Sequence, residues 1–141
     1  MSYVELSQIE GRLPRKHLLE ALDDDDDGVI DQTAWELVQA DVSLAIEGPL
    51  SARFGVPFAA PFPPAVALAA RIFALEMLYI RRGTPKDQNP WTEHANAARE
   101  KLDKVGAGEL SLQAAAREIE ASVAAVTEPS RLHDPDGRIA V

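Results

Sequence analysis

The sequence contains no cysteine, and this absence excludes several classes of protein at once. A chain without thiols has no disulfide framework, no cysteine nucleophile and no cysteine-ligated zinc site. Both reducing and oxidising compartments therefore remain open. Residues 1–5, Met-Ser-Tyr-Val-Glu, also lack the basic and then apolar build of a signal peptide, so we expect a chain that is not exported.

Basic residues are scarce as well, with 14 lysines and arginines against 23 aspartates and glutamates and a formal net charge of −9. A protein that grips nucleic acid neutralises phosphates with positive charge, so this balance argues against that role. It still allows DNA to pass nearby without adhering. With 141 residues, 46% of them hydrophobic, we predict one helical domain at residues 1–110 and a C-terminal helix with an extended arm at residues 111–141.

Motifs for catalysis are missing too. The sequence has no glycine-rich phosphate loop and no serine nucleophile elbow, and its three histidines lie on different predicted elements, without a metal-site partner one helical turn away. Residues 54–70 are uncharged, but prolines interrupt them and Arg71 and Glu76 follow, which argues against a membrane span. We therefore predict no enzyme, no catalytic residue and no membrane partner.

What the chain has in abundance is aspartate, in a run of five that begins at Asp23 and is followed by Gly28. Counted from the first aspartate, the oxygens and the glycine repeat the order of an EF-hand loop. The last loop position holds Ala34 instead of a bidentate glutamate, so calcium would keep more water and bind weakly. The alternative is a solvated acidic turn between two helices. The candidate ligands are Asp23, Asp25, Asp27, the carbonyl of Val29, and Asp31.

Hydrophobic residues recur at helical spacing, and no segment alternates as a strand does. We predict an all-α fold, a small bundle of five to six helices. The first two helices cover residues 4–11 and 14–22, the third is capped by Asp31 or Thr33 and reaches Gly48-Pro49, and the last three cover residues 64–82, 90–106 and 111–126. Pro49 is expected to bend or end the third of them, because proline removes a main-chain donor and crowds the preceding turn.

The fourth predicted helix is apolar on almost all sides. Either it is the central helix of the bundle, or another subunit covers part of its surface. It contains one acid, Glu76, which we expect to pair with Arg71 or Arg53. It ends at Arg81 and Arg82, whose positive charge suits a helix C-terminus.

After the sixth helix the sequence has turn residues and an apolar tip, Ile139, Ala140 and Val141. This pattern is typical either of an arm that reaches a neighbouring molecule or of a disordered terminus. We count the three residues of this tip, together with Arg81 and Arg82, as candidate partner-binding residues.

Several short motifs occur in an order that resembles the Mu-like phage protein family, small proteins encoded among head and neck genes. In that family a leucine pair precedes an acidic Asp/Gly turn, an Ile-Asp precedes a leucine, Arg-Tyr and Pro-Leu close the long helix, and a later helix carries one buried acid. The matching positions here are residues 22–31, Ile46-Glu47, Leu50, Arg53-Phe54, Pro57-Phe58, Glu76, Leu102, Val105, Gly108 and Leu112.

The resemblance covers residues 3 to 112, and it includes departures from the family pattern. Pro49 stands where the family commonly has an aromatic residue, and Glu replaces Asp at positions 47 and 76. Residues 113–141 have no counterpart that aligns. We therefore expect the helix kink and the C-terminal arm to be peculiar to this chain.

The resemblance implies a structural virion protein, a head-tail connector of the kind also called an adaptor or head-completion protein. It implies a homo-oligomer, a dodecameric ring in the virion neck that is assembled in the host cytoplasm. The ring would bind the portal protein and the next neck or tail protein, and double-stranded DNA would pass through its lumen. It also implies structural roles for Arg53, Pro57 and Glu76. The competing hypothesis is a calcium-responsive helical binding module, in which residues 23–31 become ordered on binding the ion.

Overall fold

The computed structural model describes residues 2–127, and of residues 124–127 it describes the backbone alone. Within residues 2–127 the chain forms helices and no strand, so the predicted all-α fold is confirmed. The predicted C-terminal arm lies outside the described residues. The helices are α1 (Leu6–Glu10), α2 (Arg15–Leu22), α3 (Gln32–Leu50), α4 (Pro64–Arg81), α5 (Thr92–Gly106) and α6 (Leu112–Thr127), with a short 3-10 turn at Lys86–Gln88.

The centre of the bundle is α4, which packs against each of the other five helices. Its small residues, among them Ala69 and Ala70, let neighbouring helices approach closely, and Phe73 is fully buried. Of the two alternatives for this helix, the central position is confirmed. Phe73 is sealed by the helices of its own protomer, so this part of α4 needs no cover from another subunit.

The last described helix, α6, packs against α4 and α5. Its residues Ala115, Ala116 and Ile119 are buried in the same hydrophobic core as the helices before it. An ion pair of 3.0 Å joins Lys101 of α5 to Glu118 of α6 on the surface. The predicted boundary between residues 110 and 111 thus falls in the turn that precedes α6.

α3 continues through Pro49 and ends at Leu50, so Pro49 lies inside the helix and does not end it. Beside Pro49, the backbone of α5 comes unusually close. A Cβ atom placed on Gly106 would lie 2.0 Å from the carbonyl oxygen of Pro49. The glycine is therefore required for the close packing of α3 and α5.

This contact predicts opposite effects for two glycine substitutions. Gly106→Ala forces α3 and α5 apart, and we expect it to lower the free energy of unfolding by about 1–3 kcal/mol. Gly48→Ala is the matched control, since nothing lies within 4 Å of its added Cβ. Because alanine favours the helix, we expect that variant to be more stable by about 0.5–1 kcal/mol. Urea unfolding of both variants measures the two values, and a neutral Gly106→Ala would contradict the packing.

Tyr3 connects the N-terminus to the proline-rich loop before α4. Its hydroxyl donates a hydrogen bond to Glu47 (2.5 Å) and accepts one from the Phe58 N–H (2.9 Å). Its ring packs edge-on against Phe62, with 4.9 Å between ring centroids. Burial, assisted by the hydrogen bond to the Glu47 carboxylate, raises the pKa of Tyr3 to about 12.

The raised pKa predicts how stability depends on alkaline pH. The pKa of Tyr3 is higher in the folded chain than its ordinary value of 10.0, so the protonated side chain stabilises the fold. This contribution is complete below about pH 10 and is lost as the pH rises towards about 12. Urea unfolding across this range should show a steeper loss of stability for the natural chain than for Tyr3→Phe. Equal slopes would contradict the expected shift.

Candidate functional site

The run of aspartates forms a tight turn between α2 and α3, and backbone N–H groups of this turn donate to the carboxylate of its first residue, Asp23. Asp23 accepts hydrogen bonds from the N–H groups of Asp27 (3.1 Å) and Gly28 (2.7 Å). The turn reverses direction because Asp26 and Gly28 adopt positive φ angles of 56° and 82°. Asp23 is thus held as an acceptor at the centre of the turn.

At the other end of the turn, Asp31 also accepts hydrogen bonds from backbone N–H groups through its carboxylate. It is the residue before α3, but its side chain makes no hydrogen bond to the first turn of that helix. Its Oδ2 atom instead accepts the N–H groups of Asp24 (2.7 Å) and Asp25 (3.3 Å). Asp31 therefore closes the acidic turn instead of capping α3.

The structure brings together three of the five candidate calcium ligands. One carboxylate oxygen each from Asp23, Asp27 and Asp31 lie within 4.8 Å of one another. Asp25 is outside this group, and Val29 donates its N–H to Asp27 (3.0 Å). The group has the oxygen chemistry that calcium prefers. Its carboxylates also accept backbone N–H bonds, so the geometry suits both a self-sufficient acidic turn and a weak cation site.

Electrostatics in the turn follow from this arrangement. The negative charge of Asp31, followed by desolvation and the charge of Asp27, raises the pKa of Asp25 above its ordinary value. For Asp23, desolvation acts upward, but the N–H groups of Gly28 and Asp27 outweigh it and lower the pKa. Asp23 is therefore stabilised as an anion by the backbone, whereas Asp25 is repelled by its neighbours.

The geometry predicts that any calcium binding depends on Asp27 and not on Asp25. Asp27→Asn removes a carboxylate from the three-residue group, whereas Asp25→Asn leaves the group intact and relieves the repulsion at Asp31. Calorimetry with millimolar calcium should then give heat for the natural chain and for Asp25→Asn, and none for Asp27→Asn. No heat from the natural chain would leave the acidic turn as the interpretation.

Arg81 and Arg82 are both engaged within the protomer. Arg81 donates to the carbonyl of Ala21 (2.8 Å) and to both carboxylate oxygens of Asp24 (3.0 Å each). Arg82 donates to Glu20 (2.9 Å). The two arginines hold the end of α2 against the end of α4, so their binding to another protein would require these pairs to open. Ile139, Ala140 and Val141 lie outside the described residues.

The buried acid of α4 pairs with a residue that sequence analysis missed. Glu76 is 6% exposed and accepts a hydrogen bond of 2.5 Å from Arg99 of α5. The expected pair with Arg71 or Arg53 is therefore wrong. The reason is the packing of α5 on α4, which also places the Arg99 guanidinium 5.2 Å from the ring centroid of Phe73.

Arg53 and Pro57, the other two residues with implied structural roles, follow the C-terminal end of α3. Arg53 donates to the carbonyl of Val105 (3.0 Å) and so satisfies an acceptor in the last turn of α5. Pro57 is exposed and follows a cis peptide bond with Val56. Arg71, by contrast, has a buried Nε without an acceptor and makes no hydrogen bond or ion pair with the residues described.

A second feature that sequence analysis missed is the outer face of α3. Trp35, Val38 and Val42 point into the core, but Leu37 and Leu44 are 57% and 71% exposed. These two leucines are seven residues apart and therefore lie on one face, two turns from each other. The seven-residue spacing of the two leucines is visible in the sequence and indicates a second apolar stripe on α3. Spacing alone does not show which of the two stripes faces the core.

Comparison with known families identifies the family of this chain. The family model described as Bacteriophage Mu, Gp36 matches residues 3–128. The chain belongs to this family. The match continues past Leu112 through α6, so the expectation that residues 113–141 wholly lack a counterpart is wrong. The physical reason is that α6 packs on α4 and α5 and is part of the bundle.

Membership of the Bacteriophage Mu Gp36 family indicates a phage structural or assembly protein. No curated protein and no solved structure gives a significant match to the chain. Among residues 2–127, none of the helices has the length and apolar character needed to cross a membrane.

Proposed function

We propose that this protein is a head-tail connector, an adaptor or head-completion protein that joins the phage portal to the neck or tail. The observation that carries the proposal is the family match, which spans the whole helical bundle from residue 3 to residue 128. The protein would act by binding and without turnover. Its place would be the neck of the virion, after assembly in the host cytoplasm.

Ring formation would proceed from protomers that are already folded. The core around Phe73 is closed within one chain, so assembly is not needed to bury it. Contacts between copies must therefore use surface residues, and exposed Leu37 and Leu44 provide apolar surface for such contacts. In a dodecameric ring, contacts between copies would therefore form on the surface of protomers that are already folded.

The charge of the chain suits the passage of DNA. A net charge of −9 per chain, repeated around a ring, creates a strong negative potential. If acidic side chains line the lumen, the DNA backbone is repelled and double-stranded DNA passes without sticking. The net charge thus supports the passage of DNA through the ring, and the orientation of the protomer sets which acidic side chains line the lumen.

The candidate partners are the portal protein and the next neck or tail protein. Since Arg81 and Arg82 are occupied by Asp24 and Glu20, the C-terminal tip is the stronger candidate for binding them. Ile139 and Val141 carry apolar side chains whose burial against another protein would favour association. We assign the portal contact to this tip.

The second candidate function is a calcium-responsive binding module. The convergence of Asp23, Asp27 and Asp31 favours it, and the pair between Asp24 and Arg81 connects the turn directly to the central helix. An ion in the turn would thus act on the junction of α2, α3 and α4. The calcium titration described above distinguishes this function from that of a connector, which requires no ion.

The connector proposal predicts that the chain binds portal rings through its C-terminal tip. We expect the full chain to co-purify with portal, and Ile139→Ser with Val141→Ser to weaken this at least tenfold because apolar burial is lost. The control is Val29→Ser, an equally polar change at an exposed valine in the acidic turn. Light scattering measures the complexes. A chain that never joins portal rings and is absent from purified virion necks would overturn the proposal.

A further inference from the structure

We propose that neighbouring copies of this chain contact one another head to tail, through two different surfaces of each protomer. The first is the α3 ridge, formed by Leu37, Asp41 and Leu44. The second is the α4 patch, formed by Ala67, Leu68 and Arg71. This inference rests on the proposed function for the ring in which the contact would repeat, and it adds the residues that form the interface.

The α3 ridge is an apolar surface with a negative centre. Leu37 and Leu44 are 57% and 71% exposed, and Asp41 is exposed between them on the same side of the helix. α3 contains no lysine or arginine from Gln32 to Leu50. The ridge therefore lacks a basic residue of its own helix that would neutralise Asp41.

Pairing of the ridge with a second α3 ridge is unfavourable. A twofold axis that brings the leucines of two ridges together also places the two central aspartates opposite each other. Two carboxylates at close range in a partly dehydrated interface repel, and no basic residue of α3 relieves the repulsion. The ridge is better matched by an apolar surface that carries a positive charge.

The α4 patch has this complementary character. Arg71 is only partly exposed, its Nε atom is buried without an acceptor, and its guanidinium makes no hydrogen bond or ion pair with residues 2–127. Arg81, Arg82 and Arg99 all have carboxylate partners by comparison. A partly dehydrated guanidinium gains more from a carboxylate than an exposed one does, because water competes less.

Two neighbours complete the patch around this arginine. Ala67 and Leu68 lie one turn before Arg71 on the same face of α4, and both are partly exposed. The leucines of the ridge would rest on them, and Asp41 would supply acceptors to the arginine. The α3 ridge and the α4 patch thus match in both charge and polarity.

A contact between two different surfaces has a geometric consequence. When each copy offers the ridge to one neighbour and the patch to the other, the contact repeats until the rotation closes a ring. Association through one self-complementary surface would instead stop at a dimer. The two surfaces therefore explain how a protomer with a sealed core could form a ring.

Cysteine cross-linking tests this contact directly, because the natural chain has no cysteine. Ala40→Cys lies beside the ridge and Ala67→Cys lies in the patch, and both changes leave Asp41, Arg71 and the leucines in place. Mixing the two full-length variants in the presence of portal and a short bismaleimide should give a mixed dimer. The double variant should give a ladder of larger covalent species.

The control for proximity is Ala121→Cys on the exposed side of α6, which should cross-link no more than at random. Homodimers of Ala40→Cys would assign the ridge to a twofold contact and overturn the proposal. Homodimers of Ala67→Cys without mixed dimers would assign the patch to a twofold contact and also overturn it. Portal binding is measured in the same samples, so loss of this interface and failure of the connector function are distinguishable.

Charge exchange provides a second test on the same two residues. Asp41→Arg and Arg71→Asp should each weaken association of copies at least tenfold, and the double variant should recover most of it. Glu120→Arg, an equal change of charge at an exposed position of α6, should have little effect. Circular dichroism confirms that each variant is folded. Single variants that associate as well as the natural chain would overturn the assigned pair.

Discussion

Burial of α4 is the constraint on which the rest of the structure depends. A helix that is apolar on nearly every side must be covered on nearly every side, and the five other helices provide this cover. Their order around α4 places Arg99 beside Glu76 and Gly106 against Pro49. It also decides which residues remain outside. Because the core is complete in one chain, every contact with another molecule belongs to the surface.

Charge is arranged differently at the two ends of the bundle. At the end where α2, α3 and α4 meet, aspartates and arginines bind one another and the backbone, so the acidic turn is an ordered junction. At the other end, the Tyr3 hydroxyl bonds to the Glu47 carboxylate and the Phe58 N–H, and Arg53 donates to the Val105 carbonyl. These bonds connect the N-terminus, the proline-rich loop and α5. Arg71 stands apart from both groups. Although the chain has many acids, the Arg71 guanidinium makes no ion pair with residues 2–127, and the proposed contact between copies is built on this arginine.

Family membership and geometry answer different parts of the functional question. The match to the Bacteriophage Mu Gp36 family indicates a phage structural or assembly protein. The structure adds a sealed protomer with an apolar, acidic ridge on one helix and an unpaired cation on another. These surface features support the proposed connector ring, and burial of Phe73 does not require a second subunit.

The sequence by itself determined the helical class, the turn at residues 23–31 and the role of α4 as a buried helix, because periodicity and glycine or proline positions act locally. It also contained enough ordered motifs to indicate the family. Only the tertiary structure decided that Glu76 pairs with Arg99, that three of the five proposed ligands converge, and that Leu37 and Leu44 face outward. These results depend on which helix lies beside which, and residues far apart in the chain, such as Pro49 and Gly106, meet only after the helices have packed.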